Sequence, residues 1–141
     1  MRVLGVDYGL KRVGLALSDP TGTLASPLTT LRRRAGRRPP LKAMSEVVES
    51  HGVERIVFGL PLPLTGGENE WCAEVRRVGA SLAERTGLPV TFVDERFTSV
   101  QAERAVRSSG LRRADRENKA RVDAGAATLI LQSWLDGAPA L

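Results

Sequence analysis

The chain has 141 residues, 42% of them hydrophobic and 26% charged, which is the balance of an ordinary globular domain. Its single cysteine, Cys72, excludes a disulfide framework and a multi-cysteine zinc site. Its single histidine, His51, stands at a predicted helix end, which leaves no candidate for a Ser-His-Asp triad or a Cys-His pair. No apolar run approaches the roughly 20 residues that span a bilayer, and no signal peptide is evident, so we expect a cytoplasmic protein without membrane contact.

The formal net charge is +5, and the basic residues are almost all arginine, with 18 arginines against three lysines. Arginine makes planar, bidentate contacts to phosphate, so this excess favours nucleic-acid binding. The alternative is that a GC-rich coding bias places arginines on a solvated surface. Charge alone leaves both interpretations open.

The first half of the sequence predicts three consecutive strands, at 2–7, 12–18 and 23–31. A short glycine-containing turn joins the first two, and a turn at 19–22 precedes the third, so an antiparallel meander is expected. The arginine-rich segment 32–38 follows. It is either a solvated loop or a phosphate contact, and we favour the contact, made by Arg32, Arg33 and Arg34.

The second half alternates helices with strands. The predicted elements are a helix at 41–51, a strand at 55–59, a helix at 68–85, a strand at 90–93, a helix from 98 to about 108, a basic loop at 109–118 and a helix at 119–135. This alternation predicts parallel strands covered by helices. With no repeat and no linker, we expect one α/β domain over residues 1–141.

Carboxylates occur at three places where a solvated surface is an awkward explanation. Asp7 ends the first strand, Asp94 and Glu95 end the last strand, and Asp123 precedes the apolar face of the last helix. The carboxyl ends of parallel strands carry the ligand site in open α/β sheets, so these groups are expected to converge.

Carboxylates that converge repel one another, and a divalent cation relieves that repulsion. Hard oxygen ligands suit Mg²⁺ or Mn²⁺, and two such ions support phosphodiester hydrolysis. Each carboxylate also has a structural interpretation: Asp7 as a turn cap, Asp94 or Glu95 as an ion-pair partner of Arg96 or Arg12, and Asp123 as the partner of Lys119.

Four segments resemble, in order and over the whole chain, the motifs of the RuvX/YqgF family. They are 6–16 (VDYGLKRVGLA), 57–62 (VFGLPL), 93–103 (VDERFTSVQAE) and 119–127 (KARVDAGAA) with 130–132 (ILQ). Members of this family are described as Holliday-junction resolvases and as nucleases that mature the precursor of the small-subunit ribosomal RNA. One departure from the family pattern is Pro63-Leu64, where a polar turn residue is usual after Gly-Leu-Pro-Leu.

The resemblance implies a ribonuclease H-like fold with a mixed five-stranded sheet, its first three strands antiparallel and helices on both faces. It implies that Asp7, Glu95 and Asp123 bind the metal ions, with Asp94 less favoured because adjacent strand residues point to opposite faces. Residues expected to contact phosphate at the scissile bond or along the backbone are Lys11, Arg12, Arg96, Lys119, Arg112 and Arg113, together with the three arginines at 32–34.

The leading interpretation is a Mg²⁺- or Mn²⁺-dependent endonuclease that resolves Holliday junctions in DNA recombination and repair, acting as a homodimer on its substrate. A second keeps the chemistry and changes the substrate to the 5′ end of the 16S ribosomal RNA precursor. A third is a nucleic-acid-binding module without catalysis. The residues alone do not separate them, and they leave the preferred metal and the resting oligomer open.

Overall fold

A computed structural model describes residues 1–33, 38–98 and 119–141, without the side chains of Phe97 and of 119–124. The predictions made for the rest of the arginine-rich segment, for the helix after Thr98 and for the basic loop 109–118 lie outside the described residues, as do Arg34, Arg112 and Arg113. Among the helices that are described, none is both long enough and apolar enough to cross a bilayer.

Five strands form one mixed sheet in the order β3-β2-β1-β4-β5. Their bounds are β1 Val3–Tyr8, β2 Arg12–Ser18, β3 Ala25–Arg32, β4 Arg55–Leu60 and β5 Val90–Asp94. The first three strands pair antiparallel, and β4 pairs parallel with both β1 and β5. The predicted ribonuclease H-like topology is therefore confirmed.

Among the described residues, three helices flank the sheet: α1 Leu41–Ser50, α2 Glu70–Thr86 and α3 Lys119–Leu135. Helix α2 begins two residues later than predicted because the Asn69 side chain caps it, accepting a hydrogen bond from the Cys72 amide at 3.0 Å. It ends at Gly87, whose φ of 73° is a left-handed conformation that glycine adopts without strain.

The sheet separates two apolar layers. Helices α1 and α2 cover one face, where Met44, Val75 and Leu82 pack against alternate residues of the strands such as Val6 and Phe58. Helix α3 covers the other face, where its buried residues Ala126, Ala127, Ile130 and Leu131 pack against Val3, Ala16, Val57 and Val93.

Helix α3 runs antiparallel to β4. Near its end, the Trp134 ring lies 5.5 Å from the guanidinium carbon of Arg55, the first residue of β4, whereas Ile130 lies over Gly59 near the end of that strand. The first turns of α3 therefore lie towards the carboxyl ends of β1, β4 and β5. That edge of the sheet also carries the predicted acidic residues.

Candidate active site

Asp7 is buried at the end of β1, with 6% of its surface exposed. Its neighbours Val6 and Tyr8 belong to the layer of α1 and α2, and Gly5 faces α3. Because side chains alternate along a strand, Asp7 lies on the α3 face. It faces Gly14 of β2 across the antiparallel pair.

Glu95 lies on the same face. Strand β5 ends at Asp94, and Glu95 opens a 3₁₀ turn, Glu95–Phe97, instead of ending the strand as predicted. Its side chain, 1% exposed, extends over Gly59 of β4: a Cβ built on Gly59 would lie 2.8 Å from Glu95 Oε1. Strand β4 lies between β1 and β5, so the Glu95 carboxylate reaches from β5 towards the strand of Asp7.

Asp94 has a different role. Its carboxylate is held by Arg96, whose Nη2 donates at 2.8 Å and whose Nε lies 3.0 and 3.1 Å from the two carboxylate oxygens. It also accepts the Arg96 amide at 2.9 Å, which caps the 3₁₀ turn. Hydrogen bonding from Arg96 lowers the pKa of Asp94 from its ordinary value, against the opposing effect of burial. The ion-pair interpretation is thus the one that applies to Asp94, and the Arg96 guanidinium that we expected on phosphate is occupied by it.

Asp123 falls in the second turn of α3, two turns before Ile130 on the same helical stripe. The backbone of α3 therefore begins at the edge where Asp7 and Glu95 lie. The Asp123 side chain, like that of Lys119, is outside the description, so its part in the site stays a prediction. Within the described part of the chain, no three acidic, histidine or cysteine side chains form a metal-binding group.

The donor set fits a hard divalent cation. Two buried carboxylates, Asp7 and Glu95, share one face of the sheet, and a third is predicted on the helix that covers it. Burying carboxylates together is costly unless positive charge joins them. Mg²⁺ binds through one or two carboxylates, with waters and substrate phosphate completing its shell.

Beside this acidic edge, the turn between β1 and β2 is held by Arg33, whose side chain is only 4% exposed. The Arg33 guanidinium donates to the carbonyl oxygens of Gly9 at 3.1 Å and Leu10 at 2.9 Å. It lies 4.7 Å from the centroid of the Tyr8 ring and 5.7 Å from that of Trp71, and these two rings stack at 5.6 Å.

Two further contacts complete the support. Arg33 Nη2 bonds Glu74 of α2 at 3.2 Å, and the Arg33 amide donates to the Lys11 carbonyl at 2.9 Å. We expected Arg33 to bind phosphate, but the structure shows a buried side chain that donates hydrogen bonds to the turn between β1 and β2. Sequence reasoning missed this role because the contacts join residues 22 to 41 positions apart.

The supported turn forms one wall of a basic cleft of about 390 Å³. The cleft is lined by Leu10, Lys11, Arg12, Arg32 and Arg33. Lys11 and Arg32 are exposed, and Arg12, on β2, is half-buried opposite Arg32 on β3. The structure therefore brings together four of the predicted phosphate contacts, Lys11, Arg12, Arg32 and Arg33, at the turn of the hairpin whose first strand carries Asp7.

Structures of known proteins share this fold over its full length. The structure of Thermus thermophilus RuvC in complex with a Holliday junction substrate aligns with a TM-score of 0.58 at 17% identity, covering 100% of this chain and 99% of that one. The fowlpox virus Holliday junction resolvase aligns with a TM-score of 0.53 at 12% identity, covering 96% and 98%. The fold is thus ribonuclease H-like, of the class to which these proteins belong.

The family follows from sequence. The family model described as "RuvX: Holliday junction resolvase" matches residues 1–137, and the chain belongs to this family. A protein of Maridesulfovibrio salexigens named "Putative pre-16S rRNA nuclease" is 42% identical over 135 residues, covering 96% of this chain and 98% of the relative. A Moorella thermoacetica protein of the same name is 43% identical over 136 residues, covering 96% and 95%. The resemblance drawn from the four motifs is confirmed.

Proposed function

We propose that this chain is a divalent-metal-dependent endonuclease that hydrolyses phosphodiester bonds, and that its substrate is a precursor of the 16S ribosomal RNA. The observation that carries the chemistry is the pair of buried carboxylates, Asp7 and Glu95, on one face at the carboxyl edge of the sheet. The names of relatives at 42% and 43% identity support the substrate. This reverses the order of substrates that the sequence alone suggested.

Asp7, Glu95 and Asp123 would hold Mg²⁺ or Mn²⁺, which when bound would activate water and stabilise charge on the leaving oxygen. The described chain supplies the rest of the site. Burial removes the carboxylates of Asp7 and Glu95 from bulk water. The attraction between a carboxylate and a cation is stronger in such a buried site than in water. The turn between β1 and β2, which follows Asp7 in the chain, then presents the exposed positive charge of Lys11.

Lys11 and Arg32 of the basic cleft would bind backbone phosphates next to the scissile bond. Contacts of this kind position a nucleic acid without reading its sequence. Arg33 takes no phosphate in this proposal, because its guanidinium is buried against Tyr8 and Trp71 and bonded to two carbonyls. Arg96 likewise acts through Asp94, fixing the turn that carries Glu95.

A four-way DNA junction is the second candidate substrate, favoured by the description of the family model that the chain matches. Symmetric cleavage of such a junction requires two active sites, so this candidate predicts a two-fold symmetric dimer on the DNA. An RNA precursor cut at one end makes no such demand.

The experiment compares three labelled substrates: a 16S precursor fragment with its 5′ extension, a four-way DNA junction and a matched DNA duplex. Each is incubated with the protein in Mg²⁺, in Mn²⁺ and in EDTA. The proposal predicts metal-dependent cuts in the RNA extension and slower or no cleavage of the junction. Paired symmetric cuts in the junction with an intact RNA would move the assignment to DNA, and metal-independent binding without any cut would identify a non-catalytic binding module.

A further inference from the structure

Gly59 is buried in β4, next to Val93 of β5, and its φ is not among the positive values found at other glycines. Glycine is therefore not required here for backbone conformation. It is required for space: a Cβ at this position would lie 2.5 Å from Ile130 Cδ1, 2.8 Å from Glu95 Oε1 and 3.0 Å from Glu95 Cγ. The place that a side chain would occupy is taken by the carboxylate of Glu95.

We infer that Gly59 is a positioning residue, whose missing side chain lets the Glu95 carboxylate lie across β4 towards Asp7. This inference rests on the proposed nuclease function and extends it to a residue that carries no chemistry itself. The 3₁₀ turn, held by the Asp94–Arg96 pair, determines the position of the Glu95 backbone. The absence of a side chain at Gly59 leaves the space that the Glu95 carboxylate occupies.

The atoms that crowd position 59 determine what an alanine would change. Ile130 Cδ1 and Glu95 Oε1 are both far ends of flexible side chains, so they can move while the backbone stays in place. To reach ordinary contact with the new methyl group, the carboxylate oxygen would shift by roughly 0.6 Å. Catalytic groups need placement within about 0.5 Å, so the shift is large enough to impair function without unfolding the protein.

A second substitution isolates the contact with Glu95. Ile130→Val removes Cδ1, the atom closest to the new methyl group, so in the double variant Gly59→Ala/Ile130→Val the Glu95 side chain remains as the close neighbour. The methyl group gained at position 59 replaces the one lost from position 130, and volume-conserving exchanges of this kind are tolerated best. Ile130→Val alone is the reference.

Gly79 provides a matched control on the opposite face of the sheet. A Cβ there would lie 2.5 Å from Phe92 Cζ, which is the same degree of crowding, and its three nearest atoms all belong to apolar side chains. Gly79→Ala therefore imposes comparable strain between α2 and β5 without displacing a carboxylate.

The test measures kcat and KM on the precursor RNA, Mn²⁺ affinity by calorimetry and Tm for each variant. The double variant should keep the Tm and KM of Ile130→Val but lose about 10- to 100-fold in kcat and about tenfold in Mn²⁺ affinity. Gly79→Ala should lower Tm and leave kcat and Mn²⁺ affinity unchanged.

Equal kcat and Mn²⁺ affinity in the double variant and in Ile130→Val would overturn the inference while leaving the proposed function standing. A Tm of the double variant far below that of Ile130→Val would also overturn the inference. It would mean that the ends of flexible side chains do not move to accommodate the new methyl group. A wild-type protein that neither cuts nucleic acid nor binds Mn²⁺ would overturn the proposed function, and the inference with it.

Discussion

Replacing each of the two neighbouring arginines at the end of β3 by alanine should affect a different property of the protein. Arg33 is 4% exposed, donates to two backbone carbonyls and lies against two aromatic rings, whereas Arg32 is exposed at the basic cleft. Arg33→Ala should destabilise the fold, and Arg32→Ala should weaken nucleic-acid binding. The two variants remove the same charge from adjacent positions, so each is the control for the other.

The size of the Arg33 effect follows from its contacts. Each hydrogen bond from a charged donor contributes about 1.5–3 kcal/mol, and a desolvated cation–π contact adds about 2 kcal/mol. The pair with Glu74 adds little, because the Glu74 side chain is 36% exposed and water screens it. Since such contributions are not additive, we expect a loss of about 3–5 kcal/mol in the free energy of unfolding.

Urea denaturation followed by circular dichroism measures this loss, and fluorescence anisotropy on a labelled RNA measures binding. Arg32→Ala should change the free energy of unfolding by less than about 0.5 kcal/mol and raise the RNA Kd. Should Arg33→Ala instead weaken binding with a stability loss below about 1 kcal/mol, Arg33 would be a phosphate contact, and the role given to it here would be wrong.

Three further predictions concern other parts of the chain. Gly125→Ala in α3 should raise the free energy of unfolding by about 1 kcal/mol and Tm by about 2–4 °C, because an added Cβ meets nothing within 4 Å. An unchanged or lower Tm would refute this. Lys11→Ala should reduce the slope of log Kd against log salt by about one, and Lys42→Ala, an exposed lysine on α1, should leave it unchanged. Equal slopes for both would exclude Lys11 as a phosphate contact. Because Arg96 lowers the pKa of Asp94, the pair stabilises the fold above the ordinary value of 3.8 and loses that contribution as pH falls through the lowered pKa. The difference in unfolding free energy between wild type and Asp94→Asn should thus be largest above about pH 5 and shrink in acid, and a constant difference would contradict this sign.

Local pattern was sufficient to predict the sheet. Alternating and continuous apolar runs located all five strands, and the alternation of strands with helices in the second half indicated parallel strands, as β4 and β5 are. The parallel pairing of β4 with β1 was left open by this pattern. For the described elements, the differences from the predicted bounds lie at element ends, and at the start of α2 side-chain capping decides. The Asn69 cap of α2 is an example, because its effect depends on one hydrogen bond instead of a periodic pattern.

The choice between Asp94 and Glu95 was also predictable in part. Strand alternation indicated that only one of the two faces the site, and the family resemblance favoured Glu95, which lies on the α3 face. The sequence did not reveal that Glu95 leaves the strand and opens a 3₁₀ turn. That geometry depends on the pair that Arg96 forms with Asp94, whereas the sequence analysis left both Arg12 and Arg96 open as ion-pair partners of Asp94 or Glu95.

The roles of Arg33 and Gly59 were beyond sequence reasoning. Arg33 stands in an arginine-rich segment, where solvation or phosphate contact is the ordinary expectation, and only the stacked rings of Tyr8 and Trp71 make a buried position favourable. Gly59 lies in an apolar run that forms one of the four family motifs, but the motif assigns no role to the glycine itself. Its proposed role arises from strand order, which places it beneath the Glu95 side chain at the end of the neighbouring strand β5.

Whether the active site is built on Asp7 and Glu95 is tested by the single-turnover cleavage rate of the wild type, Asp7→Asn and Glu95→Gln at saturating Mn²⁺. The control is Glu46→Gln, which changes an exposed carboxylate on α1, on the opposite face of the sheet. We expect each site variant to lose at least about 100-fold in rate while retaining the wild-type Tm and RNA affinity, and the control to be unaffected. Cleavage that survives both site substitutions would contradict an active site built on Asp7 and Glu95.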